Sequence, residues 1–462
     1  MLLAGLAHDG GLYVPETVPT FSAAEIAAFG GLSYVELAAR IITPFLDDSF
    51  SAGALHELLR DSYAGFGHAA VAPLKQLEAG LWLLELFHGP TLAFKDYPLQ
   101  VVGRMFDAVL KKRKSRVTIV GATSGDTGSA AIEACRDRDA VDIFILYPKG
   151  RTSEVQRRQM TTVDAANAHA MAIDGTFDDC QDLVKAMFAD EGFRADLGLS
   201  AVNSINFARV MAQIVYYFWA ALKLGAPERP VAFTVPTGNF GNVYAAHMAR
   251  RMGLPIAQLA IGTNRNDILA RFLASGKMTM GAVEPSLSPS MDIQVSSNFE
   301  RFLFELKKSD GAATASAMRA FRTTGSLPVS DAEWRQAQCL LTGHRIDDAQ
   351  TRAEIARTWR TSGELIDPHT AIAVATARAV RHDPSVPMIA LACAHPAKFP
   401  DAVESATGIR PDLPPALADL MTRRERTEVL PNDLAEVKRF VRGHVSALGH
   451  NSRAASHAGG VS

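Results

Sequence analysis

Six short runs of mostly apolar residues recur along the chain, separated by longer stretches of mixed character. Within each run apolar residues follow one another instead of alternating with polar ones, which is typical of strands buried on both faces of a parallel sheet. The intervening stretches repeat apolar residues every three to four positions and predict helices. We therefore predict an α/β fold of open, mostly parallel sheets. The predicted strands are 117–120, 142–146, 170–173, 231–235, 256–261 and 388–392.

The pattern also divides the chain. Residues 1–73 carry short helical repeats interrupted by glycine and proline turns, and they predict a small N-terminal domain. Residues 74–430 contain all of the predicted strands. Residues 431–462 are polar and helical in part, and the stretch rich in serine, alanine and glycine from Asn451 onward predicts a disordered tail.

Composition narrows the class of protein. A chain of 462 residues with 48% hydrophobic and 21% charged residues is typical of a multidomain globular enzyme. A formal net charge of −2 gives no electrostatic reason to expect nucleic acid or an anionic membrane as partner. The most apolar stretch, 210–222, is too short to span a bilayer. The four cysteines form no C-x-x-C pair, so we expect no zinc site or other metal, no disulfides, and a cytoplasmic location.

Lys95 is the residue that points most directly to chemistry. It lies in the run FHGPTLAFKD, among apolar residues and just ahead of a predicted helix that Asp96 would cap. A lysine that forms a Schiff base must spend part of its time uncharged, and an apolar setting beside the positive end of a helix favours that state. Without other information, a solvated surface lysine remains the commoner explanation.

Three loops that follow predicted strands carry unusual residues. In parallel α/β sheets ligands collect at this edge, where helix N-termini present free N–H groups. One loop is the donor-rich segment from Thr123 to Gly128, the second is the segment from Gly238 to Asn242, and the third contains Cys393. Each of the first two could bind an anion or could be an ordinary turn between a strand and a helix.

A further donor cluster, NSINFAR, opens a long predicted helix. Ser204 could serve as its N-cap and Arg209 could be an ordinary solvated charge. Alternatively, these side chains and the helix end could together bind a phosphate group.

The motifs FHGPTLAFKD, ATSGDTG, VPTGNFGN and AHPAKF occur in this order, together with DGGLYVPE, YPKGRTSEVQRRQM, GTFDDCQDLVK, NSINFAR, SPSMDIQVSSNFERFLFEL and DPHTA. This set resembles the bacterial and fungal type of threonine synthase over nearly the whole chain to about residue 430. The resemblance implies a pyridoxal-phosphate enzyme with the tryptophan synthase β-like architecture, called fold type II. On this basis 1–73 is the N-terminal domain of that family and 74–430 the catalytic core that binds the cofactor.

The resemblance also implies roles for individual residues. Lys95 is the residue that links covalently to pyridoxal phosphate and is the catalytic base. The expected cofactor-binding residues are Lys95, Asp126, Gly238, Asn239, Phe240, Gly241, Asn242 and Cys393. The expected substrate-binding residues are Thr123, Ser124, Gly125 and Thr127 for the carboxylate, and Ser204, Asn206 and Arg209 for the phosphate of O-phospho-L-homoserine.

Two features of the sequence depart from the family pattern. Cys393 stands where the family usually has threonine or serine against the pyridine nitrogen, and a thiol is the weaker hydrogen-bond donor. The chain also begins at MLLAG, whereas relatives carry a further segment ahead of DGGLYVPE.

The activity implied by the resemblance is conversion of O-phospho-L-homoserine and water to L-threonine and phosphate, by elimination at Cγ and hydration at Cβ, in a monomer or homodimer. One alternative is a pyridoxal-phosphate serine/threonine dehydratase or phospho-lyase, which would share Lys95 but would not need Ser204, Asn206 and Arg209. A second, of another class, is a catalytically silent cofactor-binding protein.

Overall fold

The computed structural model describes residues 2–3, 5–7, 9–201 and 204–445. The helices of this part of the chain are α1 Ala23–Ala28, α2 Tyr34–Ile42, α3 Ala52–Tyr63, α4 Asp96–Arg113, α5 Asp126–Cys135, α6 Glu154–Thr161, α7 Phe177–Ala189, α8 Glu191–Leu197, α9 Phe207–Lys223, α10 Gly241–Arg251, α11 Ile268–Ser275, α12 Phe299–Leu306, α13 Gly311–Thr324, α14 Asp331–Leu340, α15 Asp348–Ser362, α16 Pro368–Val380, α17 Pro400–Thr407 and α18 Leu434–His444. The strands are β1 Leu74–Glu78, β2 Leu81–Glu85, β3 Val117–Ala122, β4 Val141–Pro148, β5 Ala168–Asp174, β6 Leu199–Ser200, β7 Val231–Pro236, β8 Ile256–Thr263, β9 Met278–Thr279, β10 Ser326–Leu327, β11 Thr342–Arg345, β12 Met388–Ala392 and β13 Thr427–Pro431. The six predicted strands are confirmed as β3, β4, β5, β7, β8 and β12.

The chain forms two compact units, each discontinuous in sequence. The first comprises 1–101 and 203–421, and the second comprises 102–202 and 422–462. The predicted division at residues 73 and 430 follows sequence patterns rather than these units, and it stays a prediction. The predicted helical part of the C-terminal segment is α18, and the predicted tail from Asn451 lies outside the described residues.

The first unit is built on a six-stranded sheet with the order β1-β2-β12-β7-β8-β11. All neighbouring strands are parallel except β1 and β2, which form an antiparallel pair at one edge. Every residue of β12 is buried, and α16 packs on it through Ala373, Val374 and Ala377. Because β7 and β12 are parallel neighbours, the loops that follow them emerge at the same edge of the sheet.

The second unit is built on a fully parallel sheet with the order β13-β5-β4-β3-β6. All eight residues of β4 are buried, which explains its continuous apolar run. On one face, Met187 of α7 and Val437 and Val441 of α18 pack against the strands. The two sheets confirm the predicted α/β class. None of the described helices is both long and apolar enough to cross a membrane.

Candidate active site

Lys95 ends the irregular segment that joins β2 to α4. Its side chain is only 8% exposed, and Nζ lies 3.5 Å from Ser290 Oγ and 5.0 Å from the centre of the Phe94 ring. Leu92, three residues earlier, has φ +60°, a left-handed conformation that is uncommon outside glycine. The chain is therefore held in a strained path where it presents Lys95.

The segment that carries Lys95 is fixed by the loop that follows β12. The Phe94 N–H donates to Cys393 O at 2.8 Å, and the His395 N–H donates to Leu92 O at 3.0 Å. These two bonds pair the segments in a short antiparallel bridge. Lys95 and Cys393, which are 298 positions apart, are thereby brought to the same end of the sheet.

Asp96 plays a different part from the one the sequence indicated. It is the first residue of α4, and its carboxylate accepts hydrogen bonds from the Thr91 N–H (2.8 Å) and the Thr91 hydroxyl (2.6 Å). The ammonium of Lys398, which is fully buried, donates to Thr91 O at 2.7 Å. A Cβ on Gly89 would lie 2.5 Å from the Asp96 side chain, so this turn has no room for a larger residue. Burial raises the pKa of Asp96 to about 6, although the Thr91 hydrogen bonds and Lys398 act in the opposite direction.

The Gly238–Asn242 loop joins β7 to the N-terminus of α10. Phe240 has φ +64° and stands at the N-cap position, where no side chain caps the helix. A Cβ on Gly238 would lie 3.0 Å from Ser290 O and 3.2 Å from Met291 Cα. The first N–H groups of an uncapped helix are the usual ligands of a phosphate group.

Asn242 and Cys393 meet behind this loop. Asn242 Oδ1 accepts hydrogen bonds from the hydroxyls of Tyr216 and Tyr217, at 2.5 and 2.7 Å. Because the two hydroxyls fix the orientation of the amide, Asn242 Nδ2 faces Cys393 Sγ, at 3.9 Å. The side chain of Asn242 is thus committed within the protein, and a phosphate at this loop would be bound by the backbone N–H groups.

Ser204 and Asn206 precede α9. The predicted N-cap at Ser204 is wrong: the cap is Asn206, whose Oδ1 accepts from the Ala208 N–H at 3.0 Å and whose Nδ2 donates to Leu2 O at 2.8 Å. Ser204 Oγ lies 3.3 Å from Ser297 Oγ. The Asn206 side chain therefore already makes two hydrogen bonds within the protein, and a hydrogen bond to the substrate phosphate would compete with them.

Arg209 lies in the first turn of α9 and is only 5% exposed. No described residue forms a hydrogen bond with its Nη1, although that atom is buried. Burial lowers the pKa of the guanidinium to about 10, with a smaller opposing effect from Tyr216. A buried cation without an anionic partner is costly. The alternative explanation as a solvated charge is wrong.

The segment Thr123–Thr127 belongs to the second unit and runs from the end of β3 into the first turn of α5. Thr123 Oγ1 accepts from the N–H groups of Gly125 (3.0 Å) and Gly128 (2.9 Å), so this hydroxyl shapes the loop itself. Gly125 has φ +142°, and a Cβ there would lie 2.5 Å from the Gln156 side chain. Asp126 is buried and accepts from Gln156 Nε2 at 2.9 Å. Ser124 and Thr127 are half-buried.

Within the first unit the structure joins most of the predicted site through short contacts. Lys95 contacts Ser290, which packs against Gly238, and Cys393 faces Asn242. Pattern reasoning gave no site role to the irregular segment 286–298 or to the start of α12. The residues that it missed are Tyr216, Tyr217, Ser290, Ser296, Ser297, Asn298, Arg301 and Lys398. For the residues of 286–298 the available signal was a largely polar stretch without helical or strand periodicity, between two helical patterns.

These residues fit pyridoxal phosphate, the cofactor that the resemblance implies. A nearly buried lysine is available for the covalent link, and a strained glycine-containing loop leads into an uncapped helix N-terminus suited to the phosphate. Cys393 is the polar side chain that could meet the ring, and Asn242 would contribute its backbone N–H to the phosphate.

Comparison with known proteins agrees with this geometry. Residues 66–328 match the family described as pyridoxal-phosphate dependent enzyme. Residues 1–63 match the threonine synthase N terminus, and residues 370–441 match the threonine synthase C-terminal family.

Individual relatives extend the match to nearly the whole chain. A threonine synthase of Pseudomonas aeruginosa is 58% identical, over 96% of this chain and 95% of its own length. A crystal structure of threonine synthase with bound pyridoxal phosphate, from Brucella melitensis, superposes with a TM-score of 0.94 at 53% identity, covering 96% of this chain and 95% of that one. The yeast threonine synthase structure gives a TM-score of 0.91 at 39% identity, covering 95% and 94%.

The expected fold type II architecture and the expected cofactor are confirmed by these matches. The chain belongs to the threonine synthase family of pyridoxal-phosphate-dependent enzymes.

Proposed function

We propose that this enzyme converts O-phospho-L-homoserine and water to L-threonine and phosphate. Membership of the threonine synthase family supports the overall reaction. The observation that carries the choice of a phosphorylated substrate is the buried guanidinium of Arg209, whose Nη1 has no hydrogen-bond partner among the described residues. A substrate phosphate would supply the missing anion.

The proposed roles follow from the chemistry of the side chains. Pyridoxal phosphate, when bound, supplies an electron sink for negative charge at the substrate Cα. Lys95 Nζ takes the proton from Cα and returns protons during the reaction. Arg209, Ser204 and the N-terminus of α9 hold the phosphate at Cγ and stabilise its charge as it leaves. The N–H groups of the Ser124–Thr127 segment bind the substrate carboxylate.

We further propose that the enzyme works in the cytoplasm as a monomer or homodimer, without nucleic acid or membrane partners. The nearly neutral net charge of −2 and the absence of a disulfide among the four cysteines, all of which lie in the described part of the chain, support this setting.

The test is release of phosphate and L-threonine from O-phospho-L-homoserine by the purified holoenzyme and by Arg209→Ala. Arg209→Ala removes the buried charge that would pair with the substrate phosphate. It should lower kcat/KM for this substrate by a factor equivalent to about 2 to 4 kcal/mol of lost transition-state stabilisation. Arg209→Lys should restore only part of that loss, because an ammonium cannot reproduce the planar fork. Arg319→Ala, which removes an exposed arginine of α13, is the matched control and should behave as wild type.

The unphosphorylated amino acid L-serine separates this proposal from the dehydratase. Binding of serine, followed by the change in cofactor absorbance, should be nearly unaffected by Arg209→Ala. Equal damage to serine and to O-phospho-L-homoserine would mean that Arg209 is structural. Turnover of serine to pyruvate without any use of O-phospho-L-homoserine would favour the dehydratase.

A further inference from the structure

Asn298 lies at the junction of the two loops that bind phosphate groups in the proposed function. It is fully buried and stands at the end of the irregular segment, immediately before α12. It contacts both the cofactor loop, Gly238–Asn242, and the substrate loop, Ser204–Asn206. No substrate or cofactor role is required of its own atoms.

The hydrogen bonds of Asn298 link these loops directly. Its Nδ2 donates to Asn239 O at 3.0 Å and to Ser204 O at 3.0 Å, and its backbone N–H also donates to Asn239 O, at 3.0 Å. Its Oδ1 accepts from Arg301 Nη1. Two carbonyl acceptors on one side and a guanidinium donor on the other leave a single orientation for the amide.

Arg301, in the first turn of α12, also supports the substrate loop. It is 1% exposed, its Nη2 donates to Ile205 O at 2.6 Å and its Nε donates to Tyr13 O at 2.8 Å. The buried guanidinium therefore joins Asn298, the substrate loop and the N-terminal segment. Its positive charge also lies beside a loop whose proposed ligand is a phosphate.

Ser296 offers a useful contrast, because its hydroxyl donates to Gly238 O at 2.5 Å. It lies two residues before Asn298 on the same segment, yet this bond supports the cofactor loop alone. Ser296 thus holds the cofactor loop alone, and the buried amide of Asn298 holds both loops. Half-buried Ser297 also reaches both, through longer contacts of 3.3 Å with Ser204 Oγ and Asn239 Oδ1.

We propose that Asn298 is a positioning residue that couples the cofactor loop to the substrate loop, so that binding of pyridoxal phosphate orders the backbone at Ser204–Asn206. The substrate half of this inference rests on the proposed function. The physical basis is that a single amide group donates to a carbonyl of each loop. If one loop moves, Asn298 must lose its hydrogen bond to that loop or, by moving with it, its hydrogen bond to the other. Either loss leaves a buried carbonyl or N–H unpaired, which costs free energy. By linkage, ordering of the substrate loop should in turn tighten cofactor binding.

The experiment compares three variants of the full-length protein. Asn298→Ala removes both side-chain links, and Ser296→Ala removes a link to the cofactor loop only. Asn167→Ala is the matched control: Asn167 is another buried asparagine that donates to backbone carbonyls, at Cys135 O and Val141 O, in the second unit. Should Asn298→Ala not fold, Asn298→Asp retains the size and the bond from Arg301 while it replaces the donating Nδ2 with an oxygen.

Two measurements do not depend on turnover. Titration of the apoenzyme with pyridoxal phosphate, followed by absorbance, should give a dissociation constant about tenfold higher for Asn298→Ala and for Ser296→Ala, in keeping with the loss of one or two buried hydrogen bonds. Hydrogen exchange of the peptide 204–209 should slow when the cofactor is added to wild type, to Ser296→Ala and to Asn167→Ala. In Asn298→Ala this slowing should be lost.

A third measurement uses the substrate. Asn298→Ala should raise KM for O-phospho-L-homoserine about tenfold with a much smaller change in kcat, whereas Ser296→Ala at saturating cofactor should leave KM unchanged. Cofactor-dependent slowing of exchange in 204–209 that persists in Asn298→Ala would overturn the coupling. Failure of wild type to use O-phospho-L-homoserine would overturn the proposed function instead, and the exchange experiment would still decide the coupling.

Discussion

Lys95 and Asp96 are adjacent in sequence but were predictable to different degrees. The apolar surroundings and the helix start raised a Schiff-base role for Lys95 but left a surface lysine as the commoner explanation, and the structure buries this side chain immediately before α4. The role of Asp96 could not be predicted, because its carboxylate is committed to the Thr91 side chain and backbone by the fold of the preceding turn. The same limit applies to the cap of α9, since the cap residue is decided by where helical backbone angles begin.

Lys95→Ala should lose the visible absorbance of the lysine-bound cofactor and essentially all threonine formation, because the covalent link and the proton-transfer group are removed together. The cofactor should still bind noncovalently through the Gly238–Asn242 loop. Absorbance spectroscopy of the purified variant is the measurement, with the exposed Lys185→Ala as control. An unchanged absorbance band would exclude Lys95 as the linked residue.

Asp96 should make stability fall as pH rises. Its pKa is raised from 3.8 to about 6 in the folded protein, so between these values the folded state holds a proton that the unfolded state has lost. The stabilisation that the protonated carboxyl contributes is fully present below pH 4 and is lost as pH rises through 6. The free energy of unfolding should differ by about 3 kcal/mol between these limits.

Urea unfolding of wild type and of Asp96→Asn at several pH values between 4 and 7.5 measures this effect. The wild-type free energy of unfolding, taken relative to the variant at the same pH, should decrease across the window. A difference that stays constant would show that Lys398 and the Thr91 hydrogen bonds offset the effect of burial, and one that grows with pH would show that they outweigh it.

At the scale of elements, regular structure was predictable and irregular structure was not. The six apolar runs identified their strands because burial on both faces of a parallel sheet imposes the same requirement on every residue. The segment 286–298 has no such repeating requirement. Its path is set by hydrogen bonds to residues far away in sequence, such as those of Asn298 to Ser204 and Asn239, and these leave no periodic signal.

Gly238→Ala should weaken cofactor binding by distorting the loop before α10. The added Cβ would meet backbone atoms, Ser290 O at 3.0 Å and Met291 Cα at 3.2 Å, and backbone cannot turn aside as a side chain can. We expect a loss of about 1 to 3 kcal/mol in the affinity for pyridoxal phosphate, measured by titration of the apoenzyme. Gly53→Ala is the control, because a Cβ there meets no atom within 4 Å in helix α3, and it should leave the affinity unchanged.

At the scale of the whole molecule, sequence patterns predicted the class of fold but not the way in which the chain is divided. The first unit resumes at residue 203 after the 102–202 segment of the second unit, and residues from 422 return to the second. The spacing of apolar residues is the same on either side of each boundary between the units, so it carries no information about which strands pair. The proposed residues of the first unit accordingly come from segments as distant as Lys95, Arg209 and Cys393.

Cofactor binding should stabilise the first unit. Lys95 and the Gly238–Asn242 loop both lie in it, and a ligand that binds only the folded state at 100 times its dissociation constant adds about 2.7 kcal/mol. Calorimetry should show an unfolding temperature that rises with the concentration of pyridoxal phosphate. The rise should be smaller for Lys95→Ala, and equal rises would argue against a covalent contribution to binding.

The position of β12 has a consequence for the order in which the protein can be made. It is the last of the six strands of the first sheet in sequence, yet it lies between β2 and β7. From the completion of β7 at residue 236 until translation reaches residue 388, these two neighbours have open edges and no strand between them. The nascent chain therefore carries an unfinished sheet while the 151 residues between β7 and β12, 237–387, are synthesised, and Cys393, immediately after β12, is added only as that sheet closes. We expect the nascent chain to depend on chaperones during this interval, and a ribosome stalled before β12 to present a chain that cannot yet retain its cofactor.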